Sequence, residues 1–277
     1  MKNSERITIK VGSNVLSRRD GNLDVTKMSA LVDQIAYLRN KGVEVILVSS
    51  GAVASGRSML APDDSLDNVA QRQLFSAIGQ ARLINRYFEL FREHNIIVGQ
   101  VLTMKSSFTE SKHYRNQRDC METMLSKGVI PIVNENDTVS LDELMFTDND
   151  ELSGLISVMM DCGTLVILSN VDGIFNGTPG EKGASLIKEV KESEDIRSYI
   201  RSVKSEFGRG GMKTKSFMAS QVASQGVEVF IANGRRDNIL VELYEDPQTA
   251  VCTRFIPSDF AYNDHGEAFA RKILEKV

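Results

Sequence analysis

VEVILVSSGAVASGR, residues 43–57, sets an almost unbroken apolar run directly before a segment of serine, glycine and alanine. Only Glu44 interrupts Val43–Val48, the composition of a strand covered on both faces. Working back from it, Thr26 to Leu38 places Met28, Leu31, Val32, Ile35 and Leu38 on one helical face, with Thr26 as N-cap and Gly42 as the stop. Arg6 to Val11 then reads as a first strand, completing a β-α-β unit.

Further along the chain the alternation continues. Helices are expected near Ala70–Phe91, Asn116–Ser126, from Asp150, and over Met212–Gln225, and strands over Ile96–Leu102, Val129–Val133, Leu165–Leu168 and Val227–Ala232. Such alternation implies right-handed crossovers and a mostly parallel sheet, hence a three-layer α/β/α sandwich. One domain spanning residues 1–256 is expected, followed by a helical tail, 257–277, in which Phe269, Ile273 and Leu274 cap one side. The charged, serine-rich stretch Lys188–Arg209 reads as a solvated helix or an excursion over the site.

A length of 277 residues suffices for a full core, and 42% hydrophobic with 25% charged residues is ordinary for a globular protein. The N-terminus lacks a signal-peptide core, and no apolar run approaches the length of a membrane span. Cys120, Cys162 and Cys252 are far apart, matching neither a zinc site nor a disulfide framework, so a reducing, cytoplasmic setting is expected. A net charge of -4 argues against nucleic acid as a partner. From Gly128 to Glu181 there is no Lys or Arg, although ten acidic residues fall there. If that stretch handles an anion, the positive charge must come from elsewhere in the chain.

Small polar segments follow the strands at Gly12-Ser13-Asn14, Ser49-Ser50-Gly51-Ala52, Asn134-Glu135-Asn136-Asp137, Ser169-Asn170 and Ala232-Asn233-Gly234. Ligands of open α/β sheets bind beyond the carboxyl ends of the strands, so this edge is the candidate site. Lys10 ends the first strand, where its ammonium can meet a transferring phosphoryl group. The serines and glycines of 49–57 are read as letting backbone N–H groups approach an anion. Phe207 to Lys215 sets flexible glycines before a helix start with three cationic side chains, a phosphate-binding combination. It does not fit GxxxxGK[ST], and no GxGxxG follows the first strand, so neither a P-loop nor a dinucleotide fold is expected.

Asn134–Asp137 and Thr147–Asp150 concentrate carboxylates and amides beyond what helix capping needs, and such groups can grasp an α-amino group. One chemistry joins these features: phosphorylation of a carboxylate, which is already ionised at neutral pH and needs no general base. Lysines, backbone N–H groups and Mg²⁺ would offset the charge on the transferring group. His94, His113 and His265 are scattered and match no triad.

IKVGSNVL at 9–16, VSSGAVASGR at 48–57, VGQVLT at 98–103, PIVNENDTV at 131–139, DNDELS at 148–153 and GRGGMKTK at 208–215, in that order, resemble the amino acid kinase family, and in particular its branch acting on L-glutamate. The resemblance runs from about Ile7 to Phe255 and implies ATP-dependent formation of γ-glutamyl phosphate, the first step toward proline, with Mg²⁺ and no dedicated protein metal ligands. It implies Lys10 and Lys215 as the pair at the phosphoryl group and Asp150 as their holder. Ser50, Gly51, Asn134, Asp137, Asp148 and Asn149 would form the glutamate set. Gly12, Ser169, Asn170, Arg209, Gly210, Gly211, Met212, Lys213 and Thr214 would join the two lysines at ATP. Proline feedback, a homo-oligomer and handoff of the labile product to glutamate-5-semialdehyde dehydrogenase are further implications.

Two features depart from the family pattern. The family often has Thr-Asp where this chain has Ser169-Asn170, and many members carry a C-terminal PUA domain that this chain is too short to hold. The competing expectations are another member of the family, acting on acetylglutamate, aspartate, carbamate or UMP, and a non-catalytic sensor on the same fold. A UMP site would need a phosphate pocket, to which Arg57 and Arg72 are the available contributors.

Overall fold

The short aliphatic runs become strands, and the periodic stretches between them become helices. The computed structural model describes residues 1, 5–18, 20–139, 146, 148–177, 181–191, 211–259 and 266–275. Its strands are β1 (Arg6–Val11), β2 (Glu44–Ser49), β3 (Val98–Thr103), β4 (Ile130–Glu135), β5 (Thr164–Ser169), β6 (Glu189–Val190), β7 (Glu228–Asn233) and β8 (Cys252–Phe255). The longer helices are α2 (Val25–Asn40), α4 (Asn68–Arg92), α6 (Ser111–Ser126), α7 (Asn149–Met159), α8 (Met212–Ala223), α9 (Ile239–Glu245) and α10 (Gly266–Leu274). Short turns of helix, α1 (Ser13–Leu16), α3 (Ala52–Arg57) and α5 (Ser106–Thr109), follow β1, β2 and β3.

The strands form one sheet in the order β3-β4-β2-β1-β5-β7-β8-β6. All pairings are parallel except β7 with β8. Alternate strand residues feed two cores. Ile7, Ile9, Val11, Val45, Leu47 and Val166 pack with buried residues of α2, α4 and α9. Ile46, Val48, Leu165, Ile167, Val229 and Ile231 pack with α6, α7, α8 and α10. The α/β/α sandwich expected from the sequence is thus present.

That alternation gives β1 its functional asymmetry. Ile9 and Val11 face the α2 side, so Thr8 and Lys10 face the other, toward α7. Thr8 Oγ1 meets the buried Cys162 Sγ at 3.3 Å, and burial pushes that thiol up to about 12. Lys10, at 4% exposure, needs an anionic partner there.

Several boundaries differ from the sequence reading. The N-cap of α2 is Asp24, not Thr26: its carboxylate accepts from Lys27 N at 3.2 Å. Gly42 does stop the helix, with φ +85°. Helix α6 begins five residues earlier than expected, because its first turns are polar and only Tyr114, Met121 and Leu125 are buried. Helix α9 and strands β6 and β8 were not anticipated; they are too short for periodicity to register. Of Lys188–Arg209, Glu189–Val190 pairs with β8, and residues 192–209 lie outside the described part. The tail helix α10 buries Phe269, Ala270 and Ile273 in the α7 core, with Leu274 packed against it.

Candidate active site

Parallel pairing puts the carboxyl ends of β1, β2, β4, β5 and β7 on one edge. Lys10 lies level with Val48 and Ile167, and Val11 with Ser49 and Leu168. The loops are tied to that level by backbone bonds from Ser50 N to Val11 O (3.1 Å), Gly12 N to Leu168 O (3.2 Å) and Gly234 N to Ser169 O (2.8 Å).

Helix α7 starts above this edge with a carboxylate cap. Asp148 Oδ1 accepts from Asp150 N at 2.8 Å and Glu151 N at 3.1 Å, an arrangement that suits an acidic group at a helix N-terminus. Its Oδ2 accepts from Thr214 Oγ1 at 3.2 Å, so the cap of α7 also ties down the first turn of α8. The turn that Asp148 closes aims Asp150 at the sheet. Asp150 is fully buried, with Lys10 Nζ 2.5 Å from Oδ1 and Lys215 Nζ 2.7 Å from Oδ2.

Burial alone would raise the Asp150 carboxyl. The two ammonium groups outweigh it and hold the group below the ordinary carboxylate range. Burial likewise disfavours the Lys215 charge, but Asp150 and Asp148 overcome it and raise its pKa. Asp148 goes the other way. Although part of its surface meets solvent, crowding by protein and then repulsion from Asp150 push it up to about 6, against the pull of Lys10 and Lys215. Two lysines sharing one carboxylate leave ammonium hydrogens that Asp150 does not use, and above about pH 6 the charged Asp148 balances the second ammonium.

Beside this trio lies a second group of side chains. Asn149 Nδ2 donates toward Ser49 O (3.0 Å), Ser50 Oγ (3.0 Å) and Asn134 Oδ1 (2.9 Å). Asn134 Oδ1 also accepts from Glu135 N at 2.9 Å, and Asn134 Nδ2 donates to Gln80 Oε1 at 2.8 Å. Asp137, nearly buried, is gripped through Oδ1 by Arg72, from Nε at 3.0 Å and from Nη2, and Ser76 Oγ donates to its Oδ2 at 3.3 Å. Arg72 also lies 3.5 Å from Glu135 Oε2, while Glu135 Oε1 accepts from Phe146 N at 2.9 Å. Positive charge therefore reaches the acidic 128–181 stretch from β1, α4 and α8.

Of the residues expected from sequence, Lys10, Asp150 and Lys215 meet directly, and Ser50, Asn134 and Asn149 form one hydrogen-bonded group. Gly51 turns the chain at φ +106° into α3. Gly12 is close enough that a Cβ there would lie 3.7 Å from Lys10 Nζ. Ser169 is buried at the end of β5, where its Oγ reaches Asn170 Oδ1 at 3.4 Å, and Asn170 is exposed. Gly211 caps α8, Met212 packs against the core, and Lys213 is exposed. Arg209, Gly210 and Thr147 lie outside the described residues.

One reading of the small residues is corrected. Gly56 serves helix packing: a Cβ there would fall 1.9 Å from Phe75 O, and one at Gly79 would fall 1.8 Å from Ala52 O. It is thus the close crossing of α3 and α4 that demands glycine at 56. The sequence reading also passed over Ser76 and Gln80 and gave Arg72 no role at Asp137. The signal was available, since 72, 76 and 80 recur at the spacing of one helical face, next to the buried Phe75, Gly79 and Leu83.

The family model described as the amino acid kinase family matches residues 5–233. This chain belongs to the amino acid kinase family. The lysine–aspartate trio and both groups around it fall inside that match. Among relatives, the chain is 62% identical over 272 residues to the glutamate 5-kinase of Bacteroides thetaiotaomicron, covering 96% of this chain and 76% of that one. It is 48% identical over 236 residues to the glutamate 5-kinase of Chlorobaculum tepidum, covering 85% of this chain and 65% of that one. It thus spans about two thirds to three quarters of these relatives' lengths. A UMP kinase of Bacillus anthracis superposes with a TM-score of 0.63 at 14% identity, over 91% of this chain and 96% of that one, which establishes the family's fold.

Proposed function

We propose that this chain transfers the γ-phosphoryl group of ATP to the γ-carboxylate of L-glutamate, giving L-glutamyl 5-phosphate and ADP. The observation that carries the reading is Asp150, held between lysines from opposite ends of the chain beside an array of amides and carboxylates. The two relatives at 62% and 48% identity point to the same substrate.

The acceptor carboxylate has a reference pKa of about 4.3 and is ionised at neutral pH, so its oxygen attacks phosphorus without losing a proton. The bond from phosphorus to the bridging oxygen breaks, and ADP leaves with the electron pair. Lys10 and Lys215 stabilise the negative charge spread over the transferring oxygens, and Asp150 sets their spacing. Among the described residues no three His, Cys, Asp or Glu side chains form a metal cage. Mg²⁺ would be carried on the nucleotide phosphates and would supply neutralisation of phosphate charge there. Gly12, Ser169, Asn170 and the start of α8 border the nucleotide in this reading.

For the glutamate end, Asp137 and the Asn149 carbonyl offer acceptors to a free α-ammonium, and Ser50 a hydroxyl to a carboxylate. A UMP site is disfavoured because Arg72 is committed to Asp137 and Glu135, while Arg57 sits over the Phe75 ring at 5.6 Å. No described helix is long and apolar enough to cross a membrane, and a cytoplasmic location belongs to the same proposal. So do a homo-oligomer, proline feedback and handoff of the acyl phosphate to a reductase. The edge strand β3, with Leu102 at 39% exposure and Ile97 at 67% just before it, supports the first of these.

The test is a panel of carboxylic acids with ATP and Mg²⁺, trapping acyl phosphate with hydroxylamine. Glutamate should give hydroxamate far faster than N-acetylglutamate, aspartate or carbamate, and a preference for any of these would refute the assignment.

A further inference from the structure

Asn134 and Asn149 are amides whose two ends look alike in shape but have opposite hydrogen-bonding roles. Which end faces the substrate must therefore be imposed by fixed neighbours. Both ends of this chain of contacts are backbone groups with a single role. The Ser49 carbonyl can only accept, so the Asn149 atom 3.0 Å from it is the NH₂ group. The Glu135 N–H can only donate, so the Asn134 atom 2.9 Å from it is the carbonyl oxygen. The Asn134 NH₂ is then turned into α4, where Gln80 Oε1 receives it at 2.8 Å.

We propose that Gln80 is a positioning residue that sets the substrate selectivity of this site for a free amine. It acts by holding Asn134 in place, so that its oxygen, together with the Ser49 carbonyl, keeps the Asn149 NH₂ on this side and the Asn149 carbonyl toward the ligand. The inference rests on the reading of the reaction given above. Asn149 Nδ2 has its two hydrogens engaged by the Ser49 carbonyl, Asn134 Oδ1 and, by sharing, Ser50 Oγ, whereas Asn149 Oδ1 accepts from no described residue and is the atom offered to an ammonium. Ser50 Oγ, 3.0 Å from the same nitrogen, can at most share one of its two hydrogens, and because that nitrogen cannot accept, the hydroxyl hydrogen is left to serve as a donor for a carboxylate. The relay thus sorts an acceptor and a donor onto the open side, matching the ammonium and carboxylate of an unmodified amino acid. Asn134 is 3% exposed and Gln80 8%, so loss of the Gln80 acceptor leaves a buried NH₂ group unsatisfied. A flip in place would set that NH₂ against the Glu135 N–H and the Asn149 NH₂, so Asn134 must shift to regain a partner, which withdraws the oxygen that holds Asn149.

The test compares Gln80→Met, which keeps length but has no acceptor, with Gln80→Glu, which keeps an acceptor. The readouts are KM for glutamate, KM for ATP, kcat, and the ratio of kcat/KM for glutamate to that for glutarate, which lacks the amine. Gln80→Met should raise the glutamate KM by about tenfold, the scale of one buried hydrogen bond, and lower the glutamate-to-glutarate ratio by a similar factor. The ATP KM should stay within about twofold, and Gln80→Glu should restore the glutamate KM to within about threefold of wild type. Equal rises in both KM values, an unchanged selectivity ratio, or no rescue by Gln80→Glu would overturn the proposal. Should Gln80→Met fail to fold, Gln80→Glu decides alone: a tenfold rise in its glutamate KM rejects the relay. Absence of hydroxamate from wild type and glutamate removes the reaction, and this inference with it. Hydroxamate from wild type beside an unaffected Gln80→Met removes the inference only.

Discussion

At the residue scale, Lys10, Asp150 and Lys215 behave as one unit, because a single buried carboxylate is the partner of both ammonium groups. Removing Asp150 would strand two largely buried ammonium groups, the kind of change that costs about 3–5 kcal/mol in comparable buried pairs, whereas removing one lysine leaves Asp150 paired with the other. Lys10→Ala and Lys215→Ala should each lower kcat by about 100-fold or more, since the lost charge is met chiefly in the transition state. Steady-state kinetics with glutamate KM little altered is the expected pattern; nearly normal turnover in both variants would remove their assigned roles. Asp148 gives a pH signature. Its raised value near 6 means that it carries charge only above that pH. As pH falls through about 6, it loses its negative charge opposite Lys10 and Lys215, and activity should decline with it. In Asp148→Asn this limb should vanish from the kcat profile, and its persistence would assign it elsewhere. The stability terms have opposite signs. Asp150, depressed in the fold, contributes stability above its unfolded value of 3.8, and this is lost as pH falls. Asp148, raised in the fold, contributes below 3.8 and ceases to do so as pH rises through about 6.

At the scale of elements, α4 links packing to substrate binding. One of its faces carries Phe75, Gly79 and Leu83 into the fold, while Gln80 reaches Asn134 at the end of β4 and Arg72 and Ser76 reach Asp137 in the loop after it. Gly79 lets α3 lie so close that the Ala52 carbonyl occupies the space of a side chain. Gly79→Ala should destabilise the protein by about 1–3 kcal/mol, as overpacking generally does, and should raise the glutamate KM because α3 begins beside Ser50 and Gly51. Chemical denaturation and kinetics on one sample check both effects; an unaltered midpoint would show that α3 can shift without cost. Helix α4 also explains why its role was hard to read in the sequence. A polar residue every fourth position looks like a solvated stripe until the strand-end loop it meets is in place.

Across the whole molecule, α10 returns to pack on the α7 layer, burying Phe269, Ala270 and Ile273. Phe269→Ala should cost about 3–5 kcal/mol, measured by thermal or denaturant unfolding, while leaving the ATP and glutamate KM values close to wild type. Changed KM values at full folding would instead make the tail part of the site. The central parallel strands, the long helices and the loop edge were legible because each depends on local order: a six-residue aliphatic run, a 3.6-residue period, or small residues after a strand. Short β6, β8 and α9 were not, because their few residues gain stability only from neighbours distant in sequence. The same division holds at the site. By itself the chain's order of residues determined a parallel α/β/α sandwich and the motifs that mark its family, since periodicity and strand-end loops are properties of neighbouring residues. Only the tertiary structure decided that Arg72 holds Asp137 and that Gln80 sits behind Asn134, and it brought Lys10 and Lys215, over two hundred positions apart, onto the one carboxylate that the family motifs had implied. Those are contacts between different layers of the fold, and no local pattern encodes which buried polar group must satisfy which.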